Sequence, residues 1–285
     1  MKLLKQTTLA AALFAASACQ NGQDSSDADT VKPSADISLR ATSDIQTPSP
    51  VKAATFVPNS VASWLGHIIL LDSKGTLHRA TTDSNETEIV ALGKYADVIG
   101  LAREKQSGVF LALTEQGQVK AFVQSDNEGN FSPLAVSQGD ERFERFCASS
   151  SPAGDVIWAK LTSKTSQKLS IDIFEDTSLT IGLSEAGADE FDLCEANNAL
   201  TLSEGYSIKP NSAEGLLLTS DEDTKSVEIT NGLSISGVKD AGFVTVTSAN
   251  MGSVYSEGVI LVADEDEGRL VLISRAYALK ELTTP

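Results

Sequence analysis

Carboxylates are the side chains of this chain that could do chemistry. Asp221-Glu222-Asp223 and Asp264-Glu265-Asp266-Glu267 form two acidic turns. Such oxygens suit hard cations, Ca²⁺ above all. Only His67 and His78 are present, and both read as structural or surface residues. There is no Ser-His-Asp set, Cys-His pair, phosphate-cradling glycine loop or zinc spacing. Lys160, Lys164 and Lys168 either touch an anion or form a solvated face. The formal net charge of −17 repels nucleic acid and anionic lipid headgroups and attracts cations. The same acidity would also simply keep a protein soluble.

The elements that must hold these residues are strands. Gly66, Gly108, Gly154, Gly215 and Gly258 each lead an apolar run, a tight polar turn and a second run. Their spacing of roughly 40 to 60 residues matches the unit of a propeller blade. One such unit cannot bury both faces of its sheet, whereas five stacked around an axis can. The fold class is therefore all-β, a β-propeller with five recognisable blades; the wide gap between Gly154 and Gly215 leaves room for a sixth. A two-sheet sandwich is the competing fold. Expected inner strands are 97–102, 143–149, 200–208 and 243–249, and outer ones 88–92, 131–136 and 178–183. Asp72, Asp221 and Asp264 each stand six residues past a leading glycine, so equal offsets predict that their turns share one end of the ring. One or two weak Ca²⁺ sites there, and acidic turns that bind nothing, are both consistent with the pattern.

The N-terminus reads as a sorting signal and tether. Residues 1–19 carry Lys2 and Lys5, an apolar stretch at 9–16, and small residues before Cys19. The stretch is too short to span a bilayer. It resembles a bacterial lipoprotein signal, which implies that Cys19 is lipidated and that the protein is anchored in the cell envelope. Gln20 beside it points to the outer membrane. Residues 20–55, rich in Ser, Thr, Asp and Pro, are expected to be a disordered tether, with the propeller over 56–285. In an oxidising compartment a Cys147–Cys194 disulfide and two buried free thiols are both open.

Several segments, in shared order, resemble the β-propeller phytases, which are Ca²⁺-dependent phosphatases. They are Leu71–Ala80, Gly93–Ala102, Phe143–Ala159, Leu200–Ile208 and Ser248–Gly268. The resemblance implies a six-bladed ancestor and carboxylate ligands at Asp97, Glu144, Glu204 and Glu265, flanked by Asp264 and Asp266. Glu144 and Glu204 would be the catalytic candidates; Asp97, Glu204, Asp264, Glu265 and Asp266 the metal ligands. Other family positions have lost their acids: Val61-Ala62-Ser63 replaces an aspartate pair, Lys160 to Lys164 an acidic turn, and Gly242 and Thr245 two aspartates. Each loss removes coordination and compensating charge. The expectation is a binding or scaffold module with weak or absent catalysis; the alternative is a 3-phytase-type phosphatase acting on phytate or a smaller phosphate ester.

Overall fold

The computed structural model of the chain describes residues 35–59, 61–101, 108–126, 128–147, 157–161, 166–174, 177–184, 200–203, 205–211, 215–220 and 223–283. Contacts group Ala35–Pro285 into one unit. Among the described residues the chain forms antiparallel blades in sequence order, preceded by two short strands, β1 (Ile37–Arg40) and β2 (Ser43–Gln46). Blade 1 is β3 (Val51–Val57), β4 (His67–Asp72), β5 (Leu77–Ala80) and β6 (Glu88–Ala91). Blade 2 is β7 (Tyr95–Gly100), β8 (Val109–Thr114), β9 (Val119–Gln124) and β10 (Phe131–Ser137). Blade 3 is β11 (Phe143–Cys147), β12 (Ile157–Leu161), β13 (Ser166–Phe174) and β14 (Ser178–Ser184). Blade 4 is β15 (Leu200–Ser203), β16 (Tyr206–Pro210), β17 (Leu216–Ser220) and β18 (Thr224–Thr230). Blade 5 is β19 (Ala241–Thr247), β20 (Val259–Asp264) and β21 (Arg269–Ser274), completed by β2. The fold is an all-β propeller, with five blades among the described residues. Helix α1 (Arg275–Thr283) ends it.

The apolar runs after the leading glycines explain why blades stack. Residues of a strand alternate between the two sheet faces. In β4, Ile68 and Leu70 pack with Val259 and Leu261 of blade 5, while Ile69 and Leu71 pack with Phe110 and Ala112 of blade 2. In β20, Ile260 and Val262 turn the other way, onto Leu216 and Leu218 of blade 4. A sheet buried on both faces needs an unbroken apolar strand rather than an alternating one. Inner strands touch in the order β3 to β7, β7 to β11, and β15 to β19, and β19 meets β3 again. The last blade thus adjoins the first, as a ring requires. Residues 185–199, which connect blades 3 and 4, lie outside the described residues.

Two expectations are corrected here. The tether was placed over 20–55, yet 37–40, 43–46 and 51–57 are strands. Overall composition hid an alternating pattern: Leu39 and Ile45 are buried between polar neighbours, and Val51 is buried ahead of Lys52. β1 runs parallel to β18 as a fifth strand of blade 4, and β2 pairs antiparallel with β21. Second, 200–208 is not one inner strand. It folds back at Gly205 (φ +76°) into the β15–β16 hairpin. The extra hairpin fills the wide gap before Gly215, so β17 and β18 are the third and fourth strands of their blade. Elsewhere the glycine-led strands are the second and third. Strands alternate in direction, so the β17–β18 turn with Asp223 faces the opposite end of the ring from the turns after Asp72 and Asp264. The acidic turns do not all gather at one end.

Candidate functional site

Asp97 stands on β7, just after a bulge at Tyr95/Asp97. Matching bulges interrupt the inner strands at Val51/Ala53 and Phe143/Arg145. A bulge re-aims the side chains beside it. Here it turns the Asp97 carboxylate toward the next blade: Oδ2 accepts the Phe146 N–H of β11 at 2.7 Å, and Oδ1 accepts the Val98 N–H at 2.8 Å. Thr55 has the same role in the preceding blade, its hydroxyl oxygen accepting the Gly100 N–H at 2.7 Å. Burial is the dominant influence on Asp97 and raises its pKa to about 6, against the pull of both N–H donors and of the Lys52 and Arg145 charges. Glu144 is the bulge residue of β11 and is exposed. Glu204, Cys19 and Cys194 lie outside the described residues, and so does the side chain of Cys147.

Asp264, at the end of β20, is buried. Its Oδ2 accepts two N–H groups from the buried Arg269 guanidinium, at 3.1 and 2.9 Å. Arg269 also meets Asp44 of β2 at 3.3 Å and Glu267 at 2.8 Å, and donates to the carbonyls of Ser236 and Gly237. Asp264 therefore belongs to an ion-pair cluster that pins the N-terminal strand to blade 5. Glu265 and Asp266 are exposed on the turn. Among the described residues, no three His, Cys, Asp or Glu side chains converge in a way that could hold a metal ion. Asp72, the blade 1 counterpart, is equally engaged. It accepts N–H groups from Lys74 and Thr76, the Ser49 hydroxyl at 2.9 Å, and faces His78 Nε2 at 3.1 Å. Burial pushes its carboxyl up, but these bonds together outweigh it and hold the pKa below the usual value.

The opposite end of the ring carries residues that sequence reasoning passed over. The β3–β4 loop makes a short 3₁₀ turn at Ser63–Leu65, and the β19–β20 loop makes one at Ser253–Tyr255. Each follows an asparagine whose side chain caps the loop. Asn59 Oδ1 accepts the Val61 and Ala62 N–H groups, and Asn250 Oδ1 accepts the Gly252 N–H. Each loop ends in a glycine crowded by backbone. A Cβ on Gly258, already at φ +101°, would sit 1.9 Å from the Thr247 carbonyl oxygen. The middle residues of the two turns, Trp64 and Val254, are 58% and 53% exposed, and Val61 and Leu65 of the first loop are exposed as well. The available signal was the matching order Asn, Ser-Trp-Leu or Ser-Val-Tyr, Gly, just ahead of two of the repeated strands.

No family model matches the chain, and no curated protein does. Solved structures do match. A complex of S. cerevisiae Dbp5 bound to Nup159 and Gle1 aligns at 12% identity and TM-score 0.33, covering 79% of this chain and 65% of that one. YCF48 from Cyanidioschyzon merolae aligns at 11% and 0.32, covering 74% and 64%. The Cps50 (Swd1) beta-propeller domain of Myceliophteria thermophila aligns at 9% and 0.33, covering 78% and 64%. In each case this chain spans less than two thirds of the solved chain.

Proposed function

We propose that this chain is a binding or scaffold module on a β-propeller, held at a bacterial membrane surface by lipid on Cys19. The observation that carries the reading is the engagement of its best-placed carboxylates. Asp264 is spent on Arg269, and Asp97 on two backbone N–H groups. A phosphatase that works through shared Ca²⁺ ions needs several carboxylates open to one ion. Propellers supply a rigid frame whose end loops vary independently, which suits recognition. The alternative, a Ca²⁺-dependent phosphatase of the phytase type, draws on one feature: a carboxyl with a pKa of about 6 beside Lys52 and Arg145. The test is phosphate release from phytate and from para-nitrophenyl phosphate, with millimolar Ca²⁺ and with chelator. The module reading expects background release in every arm. Chelator-sensitive turnover that disappears in Asp97→Asn would replace it with the phosphatase.

A further inference from the structure

We infer that the paired loops of blades 1 and 5 form a docking surface for a polypeptide segment in which a large apolar side chain is flanked by lysine or arginine. The inference rests on the binding-module reading and names its partner's chemistry. The two loops meet where a Cβ on Gly252 would stand 3.4 Å from the Trp64 Cβ; Trp64, Val61 and Leu65 are exposed on one loop and Val254 on the other. An exposed tryptophan among aliphatic neighbours is the composition of an interface hot spot.

The surface is held in shape from beneath. The Asn59 side chain, 6% exposed, fixes the first loop. Beneath the second, Tyr255 is buried and its hydroxyl meets Ser43 Oγ at 2.6 Å, while the Ser274 hydroxyl donates to the Val254 carbonyl at 2.9 Å. Ser253, just before Val254, has φ +46°, the only positive φ of a non-glycine among the described residues. A serine is held there against its ordinary backbone preference. These bonds fix the loop that leaves Val254 in solvent. A rigid surface loses little entropy when it binds, which favours affinity.

Charge decides the partner. A third loop, 81–87, joins the other two through the Thr82 hydroxyl, which donates to the Met251 carbonyl at 3.2 Å. Loops 58–66, 81–87 and 248–258 contain Asp83, Glu86 and Glu257 and no lysine or arginine, and all three acids are exposed. Arg275 borders the second loop, but its guanidinium turns inward to the carbonyls of Leu202 and Glu257. Loops whose only charged side chains are carboxylates, on a chain of net charge −17, favour a cationic segment and disfavour anionic ones. An anionic lipid surface carries the wrong sign.

The experiment selects a random dodecapeptide library displayed on phage against the purified full-length chain and, in parallel, against Trp64→Ala. Both substituted sites are exposed, so Trp64→Ala and Val254→Ser should unfold at the wild-type urea midpoint. The expected result is enrichment of peptides pairing an aromatic or aliphatic residue with Lys or Arg. Synthetic copies should bind at least tenfold more weakly to Trp64→Ala, and more weakly as salt rises. Peptides that bind wild type and Trp64→Ala equally overturn the surface but leave the binding-module reading standing. Failure to enrich, with Trp64-dependent sedimentation on phosphatidylglycerol vesicles, overturns the peptide in favour of a membrane. Calcium-dependent phosphate release would sink the underlying reading separately.

Discussion

At the residue scale, partly buried Asp97 and buried His67 pull the pH dependence of stability in opposite directions. Asp97 has its pKa raised to about 6, above the unfolded value of 3.8. The folded state therefore binds its proton more tightly, and its contribution is present below about pH 4 and lost as pH rises through 6. His67 is the reverse. It is buried, its Nδ1 finds no partner, and a Cβ on Gly129 would lie 2.1 Å from Nε2. Burial first, then the nearby Arg79 charge, hold its pKa below 6.5, against smaller opposing pulls from Asp126 and Glu88. Its contribution is complete above pH 6.5 and lost as pH falls. Urea midpoints measured from pH 4 to 8 should rise more steeply with pH in Asp97→Asn than in wild type, and less steeply in His67→Phe. Identical slopes in all three proteins would refute both assignments. Asp97 could be picked out in the sequence only through the resemblance of Gly93–Ala102 to a phytase segment. Its partner, a backbone N–H of the next blade, could not, because no residue type announces it.

At the scale of elements, the N-terminal strands have a structural role that composition concealed. β2 supplies the outer strand of blade 5, with Ile45 fully buried and Asp44 beside Arg269. Replacing Arg269 with leucine leaves Asp264 buried without its counter-charge, and removing one partner of a buried pair costs about 3–5 kcal/mol. Ile45→Ala opens a cavity beneath the same strand and costs about 2–5 kcal/mol. Both losses should appear as lowered urea midpoints, with new protease cleavage within 35–50 as β2 frees itself. A variant of either kind that stayed as stable as wild type would mean that β2 does not belong to the closed blade. The inner strands are equally intolerant: a Cβ on Gly100 would lie 1.8 Å from the Phe56 carbonyl oxygen. Sequence marked most strand positions well because their apolar runs are continuous. It erred at 200–208, where a single glycine turns one expected strand into two.

At the scale of the whole molecule, a two-ended ring divides its labour. One end carries turns whose aspartates are tied into the frame at Asp72 and Asp264. The other carries stiff loops that leave Trp64 and Val254 in solvent. The proposed lipid on Cys19 would hold this ring at a membrane that its own acidity repels. Cells grown with labelled palmitate should incorporate label into the wild-type chain and not into Cys19→Ala, and the variant should move from the membrane to the soluble fraction. Label retained in the variant would remove the anchor from the account. The phytase resemblance followed the order of the segments along the chain. Whether their carboxylates meet is a different matter, since it depends on how blades are set around an axis.

The sequence by itself determined the local grammar: strands apolar on both faces, polar turns at set offsets, and glycines where backbone crowds backbone. These depend on neighbours within a few residues and on the two-residue period of a strand. Only the tertiary structure decided which strand of a blade each hairpin became, which segment completed the last blade, and whether an acid was open to solvent or tied to a partner. Such choices rest on pairings between distant regions of the chain. Asp44 and Arg269 are 225 residues apart in sequence and 3.3 Å apart in space, and no local pattern encodes that contact.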